Sequence, residues 1–174
     1  NAAILGYTFA SMNQGSAQYW NHKSIKSQYG LRTNPNDFAI TILVLFAKVM
    51  KADGKLLKTE LNYIKKFLIK QFGLHQAREF MKLFKDILNQ EYPLKDVCIQ
   101  IQRSMDHPSR IELIHILFGL AFADKHIDDS EIKVIRTIAG YLNINQKDYE
   151  SIKAMFIKDN SFAYKILEID PSSK

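Results

Sequence analysis

The stretch Ala52-Asp53-Gly54-Lys55-Leu56-Leu57-Lys58-Thr59-Glu60 returns as Ala123-Asp124-Lys125-His126-Ile127-Asp128-Asp129-Ser130-Glu131, an offset of 71 residues. At that offset Leu43, Val49, Leu56, Leu61 and Ile64 fall on Ile114, Leu120, Ile127, Ile132 and Ile135, so the apolar skeleton repeats together with the Ala-Asp and the Glu. Both copies sit between two stretches of helical apolar spacing. A chain with this pattern is constrained to two similar helical hairpins, each with an acidic loop at its bend.

The rest of the chain has little material for anything but helix. Its 174 residues are 47% apolar with only seven Gly and four Pro, enough for one core of ordinary size and few turns. The fold class is therefore all-α, a compact bundle of about seven helices with an internal pseudo-repeat. Phe38, Ile42, Leu45, Phe46 and Val49 mark a first helix from about Pro35 that stops at Gly54. A second runs over about 57–71 on Leu61, Ile64, Phe67 and Leu68, and a third over about 75–89 on Phe80, Leu83, Phe84, Ile87 and Leu88. Pro93 opens a fourth with Val97, Cys98 and Ile101 inward. Ser109 starts a fifth, apolar over more than half its circumference and expected to be central. Asp128 and Glu131 form a capping signal for a sixth, and Asn145 caps a seventh with Tyr149, Ile152 and Phe156 inward. Helices three, four and seven then close the ends of the paired hairpins.

The ends read differently from this body, and three pieces result: 1–35, 36–158 and 159–174. Residues 2–10 are apolar or small, about half the length a membrane span needs, with Ala2, Gly6 and Ala10 at the small-residue spacing of packed membrane helices. Two readings fit: the cut end of a transmembrane helix, or an amphipathic arm. Lys23, Lys26 and Arg32, with no acid before Asp37, favour a cytoplasmic juxtamembrane segment. The chain starts without Met, and Asn1-Ala2 reads as the scar of a cleaved expression tag on a piece excised from a longer protein. An apolar arm on such a linker is expected to dock on a neighbouring chain, giving a homodimer. The lone Cys98 excludes an internal disulfide, and with Val97 and Ile99 beside it reads as an inert buried thiol of a cytosolic protein.

The acidic loops are the candidate for site chemistry. Asp53-Gly54-x-Leu56-x-x-x-Glu60 matches the second half of a calcium EF-hand loop, but Val49 and Lys51 in one copy, and Leu120 and Phe122 in the other, stand where its first ligands belong. The primary reading is structural, with no metal or cofactor. Each Asp accepts N–H bonds from its own loop, and each Glu caps the helix that follows. The alternative is a metal site shared by both loops and built from Asp53, Glu60, Asp124, Asp128, Asp129 and Glu131. The histidines His22, His75, His107, His115 and His126 are scattered without a partner at ligand spacing. No phosphate loop or nucleophile motif appears, so the chain is not expected to be an enzyme. The formal charge of +6 concentrates partly on Lys55, Lys58, Lys65, Lys66 and Lys70, a solvated face that would suit anionic lipid headgroups and lacks the features of a nucleic-acid reader.

The twin Ala-Asp loops with a downstream Glu resemble the tellurite-resistance TerB-like domain, over roughly residues 36–158. The last stretch resembles the opening of a J domain, with Tyr164 and Leu167 as the aromatic and Leu of its first helix and Asp170-Pro171 as the following turn, while Glu168 stands where Gly is common. A membrane helix, a TerB-like domain and a J domain in that order resemble the membrane-anchored DnaJ-like protein A family of bacterial co-chaperones. The resemblance implies a protein anchored at the cytoplasmic side of the inner membrane that stimulates a DnaK-type chaperone. Its J-domain His-Pro-Asp would lie beyond Lys174, and His107-Pro108-Ser109 is not that motif, so residues 1–174 are expected to be soluble and inert toward the chaperone ATPase. The TerB-like part is expected to be an interaction and regulatory module, with a metal-responsive module or an anionic-lipid-binding domain as the alternatives.

Overall fold

The computed structural model describes residues 35–126 and 128–158. The expectations about the N-terminal arm, its basic linker and the J-domain opening with Tyr164 and Leu167 lie outside those residues. Helix α1 (Pro35–Met50) runs into a 3-10 turn (Lys51–Asp53) and is followed by α2 (Lys58–Phe72), α3 (Leu74–Leu88), α4 (Leu94–Ser104), α5 (His107–Ala121) and α6 (Asp129–Tyr141). A further helix, α7, spans 146–158. Among the described residues the architecture is all-α with seven helices, as the periodicity indicates. Among the described residues no helix is long and apolar enough to cross a membrane.

The repeat is real in three dimensions. Helices α1 and α5 end at Met50 and Ala121, and α2 and α6 begin at Lys58 and Asp129, all at the offset of 71. The turn chemistry repeats too. Gly54 adopts φ +75° and donates its N–H to the Lys51 carbonyl at 3.2 Å, while Lys125 adopts φ +62° and donates to the Phe122 carbonyl at 3.0 Å. One copy fills this left-handed position with glycine and the other with a residue whose Cβ is strained there by about 1–2 kcal/mol. Gly54→Ala should therefore lower stability by about 1–2 kcal/mol. Lys125→Gly should raise it by about 0.5–1 kcal/mol, because glycine's extra unfolded-state entropy offsets part of the relief. Chemical denaturation of the two variants checks both signs.

The hairpins pack crosswise. Helix α1 contacts α3, α4, α5 and α6, and α2 contacts α5. From Ala39 to Met50, every residue but Thr41 and Lys48 is buried. Helix α5 is central, as its apolar circumference indicates, and it shares the centre with α1. The physical reason is composition, since a segment with two polar side chains in twelve residues has no face suited to water. Helix α5 contributes Leu113, Ile114, Ile116, Leu117, Phe118, Leu120 and Ala121 to the same core. Helix α3 packs on α1 and α2, and α4 on α1 and α6. The α7 side chains Tyr149 and Phe156 sit against Phe118 with ring centroids 5.6 and 5.8 Å apart.

Helix starts follow cap chemistry. Helix α5 begins at His107 rather than Ser109, because the Asp106 carboxylate accepts the Ser109 N–H at 3.0 Å and Pro108 is harmless in a first turn whose N–H groups have no helical partner. The Asn145 side chain accepts the Asp148 N–H at 2.8 Å, the expected cap of α7. At the far end of α6 the Arg110 guanidinium donates to the Leu142 carbonyl at 2.6 Å, a cation placed where the helix dipole favours one.

Candidate functional site: the paired acidic loops

Because the first turn (Lys51–Asp53) packs against α6, and α2 against α5, the bends of the two hairpins meet. Each loop aspartate closes an Asx turn at the equivalent position. Asp53 Oδ1 accepts the Lys55 N–H at 2.8 Å, and Asp124 Oδ1 accepts the His126 N–H at 3.0 Å. Asp128 is the N-cap of α6 and accepts the Ser130 N–H at 2.8 Å. Hydrogen bonding to Ser130, chiefly, and the Lys55 cation from the opposite loop hold its carboxyl below the usual range.

The two glutamates behave otherwise. Glu60 and Glu131 are the third residues of α2 and α6, as read from the sequence, yet they are only 1% and 3% exposed. Both oxygens of Glu60, and Oε2 of Glu131, are buried without a hydrogen-bond partner among the described residues. Their burial goes beyond what closing a helix cap requires. The N-terminus of each helix abuts the other hairpin, so the side chain enters the interior, where burial outweighs the lowering effect of the Leu57 N–H at the α2 N-cap on Glu60.

Burial is the main reason that the Glu60 carboxyl is pushed up to about 7, followed by the charges of Asp53 and Asp124. Glu131 is pushed up to about 8 by burial, then by Glu60, Asp53, Asp128 and Asp124.

Asp53, Asp128 and Glu131 each present an oxygen within 4.8 Å of the others. Ligands about 2.3–2.6 Å from a common calcium ion lie at most about 5 Å apart, so one ion of that size can touch all three. An all-carboxylate set suits calcium, magnesium or manganese, and the lack of thiol or imidazole in it disfavours zinc. Glu60 and Asp124 lie close enough to raise Glu131 without belonging to this inner group. Asp129 is exposed on the outer side of α6 and does not join it. Of the six acids named from sequence, three form the inner group, two surround it and one points away.

The burial of the glutamates was missed, though a signal existed. Glu60, Ile64 and Leu68, like Glu131, Ile135 and Ala139, follow one another at four-residue spacing and share a helix face. The lysines Lys55, Lys58, Lys65, Lys66 and Lys70 are all exposed. Among the described residues no histidine side chain joins the acidic group; His107 lies 3.4 Å from Asp148, and His115 packs on Phe156. Burial pushes the Cys98 thiol up to about 12, which keeps it unreactive.

A bundle of two crossed helical hairpins with paired acidic bends defines a class of small all-helical domains. The family described as Tellurite resistance protein TerB matches residues 39–154, and the chain belongs to it. No curated protein and no solved structure matches the chain.

Proposed function

We propose that this TerB-family domain is a non-catalytic regulatory module that takes a divalent cation between its paired acidic loops, and that it serves a membrane-tethered DnaJ-like co-chaperone. The cation reading is carried by one observation: Glu60 and Glu131 are buried with carboxylate oxygens that no described residue satisfies. Such oxygens cost free energy wherever they are merely structural. A cation contacting Asp53, Asp128 and Glu131 would satisfy Glu131 directly and, by its charge, favour the ionised form of Glu60 beside it. The primary sequence reading, in which the loops need no ion, accounts for the two Asx turns but not for the buried glutamates.

The co-chaperone reading is supported by the residues that flank the body, Tyr164, Leu167 and Asp170-Pro171 after it and the apolar and basic stretches before it. Under this reading the J domain contacts a DnaK-type chaperone, and the TerB-like body reports cation status to it by binding rather than by catalysis. Titration calorimetry with calcium, magnesium and manganese tests the first part, with saturable binding expected and its loss expected in Asp53→Asn and Asp128→Asn. Asn retains each turn or cap while removing the charge. A protein extended through the complete J domain tests the second part. Stimulation of a DnaK-type ATPase that changes on adding the ion supports the whole reading; stimulation indifferent to the ion, with binding intact, would leave a cation site uncoupled from the chaperone.

A further inference from the structure

On the outer side of the α2–α3 hairpin, away from the acidic loops, lies a groove of about 540 Å³. Its floor is apolar, formed by Ile69 of α2 and by Leu74 and Met81 of α3, and Leu74 is half exposed. Its rim is cationic, with Lys65 on the α2 side and Arg78 and Lys85 on the α3 side. None of these three has an acidic partner among the described residues. Among the described residues the one acid lining the groove, Glu79, is paired with Lys82 at 3.2 Å, so the balance of the rim is strongly positive.

We propose that this groove docks an acidic amphipathic helix of a partner protein. The groove follows α3 from Leu74 to Lys85, roughly 16 Å at the rise of an α-helix, which matches about three turns of a bound helix. Apolar anchors at i, i+3 or i+4 and i+7 would lie on the floor, where the unbranched Met81 adapts to their shape. Acidic side chains flanking those anchors would meet the cations on both walls. The spread of charge decides against a single lipid headgroup, because Arg78 and Lys85, seven residues apart on α3, lie about 10 Å apart along the groove. A flat bilayer would touch the ridges of the two helices and leave the floor between them uncovered.

The test uses a panel of fluorescein-labelled helical peptides of about fifteen residues, with leucine anchors at that spacing and glutamate flanks, followed by fluorescence anisotropy. The glutamate-flanked panel is expected to bind, with affinity falling as salt rises, and the same peptides with lysine flanks are expected not to bind. Reversal of the rim in Lys65→Glu/Arg78→Glu/Lys85→Glu should weaken binding by more than about tenfold. Leu74→Glu, at an exposed position, should do so without touching the cations, and unchanged circular dichroism certifies the fold of both variants. The proposal is overturned if no glutamate-flanked peptide binds, or if binding survives both variants. Capture of phosphatidylglycerol vesicles in place of the peptides, lost on the same charge reversal, would overturn it in favour of a lipid surface.

Discussion

Adding calcium to the protein at pH 7 is expected to raise its melting temperature by roughly 8–14 °C once the ion exceeds its dissociation constant about a hundredfold. A ligand that binds only the folded state at that excess stabilises it by about 2.7 kcal/mol, whatever its absolute affinity. The folded state alone brings Asp53, Asp128 and Glu131 within 4.8 Å of one another, because they come from two loops far apart in sequence. A chelator should reverse the shift. Asp53→Asn and Asp128→Asn should abolish it while leaving the apo protein folded, since each Asn can still accept the N–H of Lys55 or Ser130. No shift with calcium, magnesium or manganese, or a shift that persists in both variants, would return the loops to a purely structural role.

In chelator, the stability of the same domain is expected to fall as pH rises from about 5 to 8. Glu60 and Glu131 carry raised values of about 7 and about 8, from an ordinary 4.5. Below the unfolded-state value both states are protonated and the pair contributes no penalty. Between that value and the folded ones, the unfolded chain ionises while the buried carboxyls stay neutral, so the folded state binds more protons and loses stability with each step in pH. Above about pH 8 the penalty levels off. Each tenfold gain in proton affinity on folding corresponds to about 1.4 kcal/mol, but the two carboxyls raise each other and do not add, so a net loss of about 2–4 kcal/mol is expected.

Glu60→Gln/Glu131→Gln removes the ionisation without changing side-chain shape. It should match the parent near pH 5, exceed it by about 2–4 kcal/mol at pH 8, and show a flat profile between. Guanidinium denaturation at several pH values reads this out. A parent protein with no pH dependence in that window, or a glutamine variant less stable than the parent at pH 8, would show that the carboxyls are satisfied in a way the structure does not contain. Together the two experiments tie ion and proton to one site, because a divalent cation that ionises the glutamates must displace their protons. Calcium affinity should then strengthen as pH rises through the same range.

Much of this was readable before any fold was known, and the readable parts share a physical cause: each depends on residues close in sequence. The offset of 71 located both bends, because an Asp followed by a residue able to adopt positive φ stops a helix within a few residues whatever packs on it. The seven helices of the described residues were visible in spacings such as that of Ile64 and Leu68, or of Ile135 and Ile138, since a 3.6-residue period is a local property. Other features needed the chain to be assembled. That α1 lies at the centre follows from its contacts with four other helices, and no property of Ala39–Met50 names those neighbours. That Glu60 and Glu131 are buried follows from crossing two hairpins so that the start of each second helix faces the other bend. Local capping logic assigns a glutamate at that position to the helix end, and only the partner hairpin turns it into half of an acidic site. The cationic groove has the same origin, because Lys65 and Arg78 become opposite walls only when α3 folds back along α2.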